Sequence, residues 1–197
     1  AFGDTWPPIM AESIQRRVAH FKREKKPVIF LPQMLGPFKN AKWQEAFGAV
    51  LRDSDRVYAR DEESLKAVRA IAADESTIRL APDITIWAEG VAVNTPASQY
   101  ACLVPNVKMR EKAGETWGKT YLDAMERSAK RLEERGVDVY LVVHDGSGRD
   151  EELACELVQR AGLPEDRIFR NEDPRQIKSF LANATMTIGS RFQALVS

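Results

Sequence analysis

Apolar positions along this chain follow two rhythms: short continuous runs, and longer stretches in which they recur every three or four residues. Ile9, Met10, Ile14, Val18 and Phe21 follow the second, so a helix is expected over Ile9 to Lys25, with Arg and Lys on its opposite side. The runs Pro27–Leu31, Arg56–Arg60 and Thr77–Ala81 are too short for helices and read as buried parallel strands. Between them, helices are expected over Asn40 to Arg52 and Glu62 to Ala73, the second capped by Asp61 or a neighbour, with acidic residues in its first turn. Residues 1 to 8 are expected to be loop, because Pro7 and Pro8 in series remove backbone donors.

From Trp87 to Tyr100 the pattern relaxes around Gly90, Asn94, Thr95, Pro96 and Ser98, the composition of a linker. The rhythm then restarts. Tyr100–Val104, Val137–Val143, Arg167–Arg170 and Ala184–Ile188 read as strands. Glu115–Arg135, Glu151–Ala161 and a segment opened by Asp173 and Pro174 read as helices, and Phe192 to Val196 as the start of another. Such alternation implies parallel sheets with helices on their faces. The expected fold class is α/β, in two units over residues 1–97 and 98–197.

Composition narrows the function classes. Apolar residues make up 44% of the 197 and charged residues 29%, which is ordinary for a globular protein. Lys plus Arg equals Asp plus Glu at 29 each, so the overall balance gives no reason to expect nucleic acid or an anionic membrane as partner. Cys102 and Cys155 sit in apolar patterns and read as reduced core residues of a cytoplasmic protein. No metal-ligand spacing is present, no apolar run approaches the ~18 residues that cross a bilayer, and no signal peptide is seen. The chain begins at Ala1-Phe-Gly-Asp4 and stops one turn into an uncapped helix, so a fragment of a longer chain is expected.

Three expected strand ends gather polar groups: Asn106 with Arg110, His144 with Asp145, and Ser190-Arg191 with Gln193. In parallel strands these turns share one edge of a sheet, where open α/β folds bind ligands. The turn after Ile188 leaves backbone N–H groups unpaired beside Arg191, and Arg110 with Arg191 is a pair suited to clamping a dianion. The same residues admit plainer readings: Arg110 as a solvated cation, His144 as a hydrogen-bonded strand end, Asp145 as a cap. The Gly146-Ser-Gly-Arg149 loop lacks Walker spacing, and no G-x-G-x-x-G follows a strand.

Gly189-Ser-Arg-Phe-Gln-Ala-Leu-Val-Ser197 resembles the Gly-Ser-Arg-Phe-His-Ala-Leu-Val-Ser signature of the polysaccharide pyruvyl transferase family, with Gln193 in place of histidine. Phe30-Leu-Pro-Gln33 with Gly36-Pro37, Tyr58-Ala-Arg-Asp-Glu-Glu-Ser-Leu65, Ala81-Pro-Asp83 and Val104-Pro-Asn106 through Arg110 resemble further family segments in the same order. The resemblance implies transfer of the enolpyruvyl group of phosphoenolpyruvate to a sugar of a glycan or glycolipid, forming a pyruvate ketal, without a cofactor. It also implies two Rossmann-like halves of the glycosyltransferase-B kind with the site in their cleft. On that pattern Asn106, Arg110, Ser190, Arg191 and Gln193 bind the donor, and Arg191, Gln193 and His144 take part in catalysis. Gln33, Arg60 and Asp83 lie on the acceptor side. Gln193 donates a hydrogen bond but does not exchange a proton near neutral pH. Two other readings therefore stand beside this one, a nucleotide-sugar glycosyltransferase and a non-catalytic phosphate- or sugar-binding homologue.

Overall fold

The computed structural model describes residues 3–4, 6–112, 114–145 and 148–196. Parts of three sequence expectations lie outside the described residues: the leading loop at residues 1, 2 and 5, the Gly146-Ser147 pair, and Ser197 of the closing signature. The chain divides into two compact units, Ala1–Trp87 and Ala88–Ser197.

In the first unit, α1 (Pro8–Arg23), α2 (Ala41–Asp53) and α3 (Glu62–Arg69) accompany β1 (Ile29–Gln33), β2 (Arg56–Ala59) and β3 (Ile78–Leu80). The strands form a parallel sheet in the order β1-β2-β3. Both crossovers run in sequence order and share one hand, so the helices gather on one face. There Phe30, Val57 and Ile78 meet Ala11, Val18, Trp43, Phe47, Val50, Leu65 and Val68 in a single core. On the other face Ile29 and Leu31 are exposed among the described residues. The three α-helices of this unit lie on the face that carries this core. α3 also stops at Arg69, short of the expected Ala73, as the Ala70 and Ile71 N–H groups turn back onto Lys66 and Val68.

The second unit holds β4 (Tyr100–Val104), α4 (Val107–Lys112), α5 (Gly114–Glu133), β5 (Asp138–Val142), α6 (Arg149–Ala161), β6 (Ile168–Phe169), α7 (Pro174–Asn183), β7 (Met186–Gly189) and α8 (Phe192–Val196). All its strand pairs are parallel, in the order β6-β5-β4-β7. β4 is buried at every position, as a central parallel strand must be. Leu103 turns to one face, with Leu141, Leu122, Met125, Leu153 and Leu157. Tyr100, Cys102 and Val104 turn to the other, with Ile177, Phe180 and Ala194. This sheet is covered on both sides. Residues from Ala88 onward belong to it, and Val91 donates its N–H to the Arg175 carbonyl at 3.4 Å.

Strand order decides where a site belongs. The chain winds from β4 outward through β5 to β6, then crosses back to place β7 on β4's other side. The reversal falls between β4 and β7, and the crevice beyond their C-terminal ends is where such sheets bind ligands.

Candidate active site

At that reversal the turns after β4 and β7 are tied together. Asn106, two residues past β4, caps α4 by accepting the Lys108 N–H at 3.0 Å and donates its amide to the Ser190 carbonyl at 3.2 Å. The helix it caps, Val107–Lys112, was missed in the sequence, where Asn106 to Arg110 read as an open turn. Tyr121 reaches in from α5: its hydroxyl accepts the Asn106 N–H at 2.9 Å and lies 2.9 Å from the Ser190 Oγ. Gly189 makes the closeness possible, since a Cβ there would sit 3.1 Å from the Val104 Cβ.

Arg191 is held from two sides. Its Nε and Nη2 reach one oxygen of Asp150 at 2.8 and 2.5 Å, and Nη2 also meets Asp145 at 2.9 Å. The two carboxylates differ in setting. Asp150, in the first turn of α6, is 0% exposed and also accepts the Val107 N–H at 3.0 Å. Asp145, just past β5, has a side chain 38% exposed, against 14% for Arg191. Asp150 thus fastens the guanidinium to the turn of α4, and Asp145 closes it from the solvent side. His144 stands in the same field. Burial and then the Arg191 charge lower its pKa below the ordinary 6.5, outweighing the neighbouring aspartates, so the imidazole is neutral at pH 7.

Of the residues singled out in the sequence, Asn106, His144, Ser190 and Arg191 come together at this edge. Gln193 follows on α8, half-buried. Arg110 does not join Arg191: its guanidinium lies on the flank of α6 in an exposed pair with Glu156 at 2.6 Å. Asp150 and Tyr121 are the members that sequence reasoning passed over. An aspartate in a first helical turn reads as a partner of the helix dipole, and a tyrosine in an amphipathic helix as core.

The first unit has its own polar edge. Arg60, just past β2, pairs with Asp83, just past β3, at 2.9 Å, the Asp83 side chain buried and that of Arg60 mostly so. Burial works against the Asp83 carboxylate, but the Thr85 N–H and hydroxyl and the Arg60 guanidinium outweigh it and hold its pKa low. Asp61 caps α3 by accepting the Ser64 N–H at 2.7 Å, and the Ser64 Oγ accepts the Leu35 N–H at 3.0 Å. The Gln33 carbonyl, ending β1, accepts the Arg60 N–H at 3.2 Å. The Leu-Pro-Gln, Ala-Arg-Asp and Pro-Asp segments are therefore one hydrogen-bonded assembly. Beside it a groove of about 700 Å³ opens between the Met34–Lys39 turn and α3, lined by Pro37, Lys39, Glu63, Lys66 and Ala67. Among the described residues no group of three or more His, Cys, Asp or Glu is placed to hold a metal, and no helix is long and apolar enough to cross a membrane.

The family profile for polysaccharide pyruvyl transferase matches residues 10–192. The chain belongs to the polysaccharide pyruvyl transferase family. The match spans both units and takes in Asn106, His144, Asp150, Ser190 and Arg191, ending one residue before Gln193. Membership of this transferase family accounts for the ordered motifs in both halves. A search among curated proteins found no match to this chain.

Proposed function

We propose that the protein transfers the enolpyruvyl group of phosphoenolpyruvate to a sugar of a polysaccharide or glycolipid precursor, with the donor held at the β4–β7 reversal. The observation that carries this reading is the convergence of Arg191, Ser190, Asn106 and His144 at a sheet's switch point, in a member of this family. Ketal formation requires a proton on the donor's methylene carbon and one sugar hydroxyl added to the carbon beside it. A second hydroxyl then displaces phosphate. The two hydroxyls release two protons, one balancing that placed on carbon and one leaving with the phosphate.

Arg191 binds an anionic group of the donor while buried Asp150 keeps the guanidinium aimed. Asp145, on the exposed side, is the partner that the donor displaces. Negative charge arriving at Arg191 offsets the field that helps lower His144, so binding raises the imidazole toward the range where it carries a proton. His144 then serves as proton donor and Gln193 as a hydrogen-bonding contact.

A binding homologue without turnover is the second reading, favoured by Gln193. The full-length protein and its Gln193→His variant separate the two when phosphate release is followed with β-galactosyl and mannosaminyl acceptors and donor binding is measured by calorimetry. Release from either form supports transfer. Donor binding without release from both supports the binding homologue, and no donor binding at all ends both readings.

A further inference from the structure

The chain's neutral balance conceals a local imbalance on α1. Between Arg16 and Lys26 six residues are Arg or Lys and one, Glu24, is acidic, a net +5 in a chain whose formal charge is zero. Helical spacing puts Ile9, Ser13, Arg16, His20 and Arg23 on one stripe, opposite the Ala11 and Val18 that enter the core. Arg17 flanks the stripe, and Lys25 and Lys26 follow the helix end; all the Arg and Lys side chains from 16 to 26 are exposed. Two nearby carboxylates offset part of the charge, Glu12 at 3.9 Å from Arg16 and Asp55 at 3.5 Å from Lys22. Among the described residues, Arg17, Arg23, Lys25 and Lys26 make no ion pair. Two large apolar side chains accompany them, Ile9 at 64% and Phe21 at 43% exposed.

We propose that this face of α1 docks the protein on the surface of an anionic phospholipid bilayer. Clusters of four to eight Lys and Arg on a helix surface are attracted to anionic headgroups, and Ile9 and Phe21 enter the headgroup boundary beside them. The apolar pair favours lipid over nucleic acid, whose backbone offers phosphates but no apolar layer. The core-facing side of α1 stays packed, so docking is peripheral and reversible. This inference stands apart from the transfer reading, because binding is read without donor or acceptor.

The test uses the full-length protein and sedimentation with vesicles of phosphatidylcholine, with and without about 30% phosphatidylglycerol. Binding is expected to the anionic vesicles alone, and to fall steeply at about 0.5 M salt. The triple variant Arg16→Gln, Arg17→Gln, Arg23→Gln, at exposed positions that tolerate glutamine in a helix, is expected to lose on the order of 100-fold in partitioning. The double variant Ile9→Ser, Phe21→Ser is expected to weaken partitioning at constant charge. Equal sedimentation with neutral and anionic vesicles, or undiminished binding by the triple variant, overturns the proposal. Tighter binding to a short DNA duplex, indifferent to the Ile9→Ser, Phe21→Ser change, assigns the patch to nucleic acid and overturns it too.

Discussion

Asp150 and Asp145 hold the same guanidinium and should respond to substitution in opposite ways. Asp150→Ala removes the buried partner, leaving the Arg191 guanidinium to the exposed Asp145 alone and the Val107 N–H unanswered, so denaturant unfolding should show a loss of about 3 kcal/mol. Asp145→Asn removes an exposed partner worth at most about 1 kcal/mol. Stability should barely change, while calorimetry should show donor affinity rising up to about fivefold. Weaker donor binding in Asp145→Asn would mean that Asp145 positions Arg191 and does not compete for it. His144 sets a pH dependence. Its folded pKa lies below the unfolded 6.5, so the unfolded chain binds more protons in that window. Stability should therefore be flat above about pH 6.5 and fall as pH drops below it, and His144→Gln should flatten that slope in pH-resolved unfolding. Arg191, Ser190 and Asn106 were legible in the sequence because each directly follows a strand. Asp150 was not, because its partner lies 41 residues away and nothing local records the contact.

Elements were legible wherever a cap and an apolar period agreed. Asp173 with Pro174 marked the start of α7, and Asp61 that of α3. α4 escaped because its six residues lack an apolar period and its cap, Asn106, was already read as a ligand-binding group. The Asp61 cap holds more than its own helix. Its hydrogen bond fixes Ser64, which in turn accepts the Leu35 N–H of the turn after β1. Asp61→Ala should cost about 1–2 kcal/mol and raise hydrogen exchange at Leu35 as well as at Ser64. Exchange raised at Ser64 alone would show that the Met34–Lys39 turn stands without the helix.

At the scale of the whole chain, α/β alternation announced two units, but which sheet faces the helices cover depends on strand order. A run of residues does not encode that order. Net charge is blind to placement for a related reason: a total of zero coexists with the cations clustered on α1. The core clusters draw their members from one unit each. Leu141→Ala should accordingly cost about 2–5 kcal/mol in the second unit and raise exchange in β4 and β5 while leaving β2 unchanged. Slower or faster exchange in β2 would reveal coupling between the units. Cys102 offers a way to time such openings. Its thiol lies sealed between β4 and α7, and burial pushes its pKa up to about 12, whereas Cys155 on α6 is partly accessible. The thiolate is the form that attacks an alkylating reagent. Cys155 should consume reagent at once, and Cys102 only when the sheet parts, so the slow phase of modification becomes a clock for the lifetime of the folded second unit.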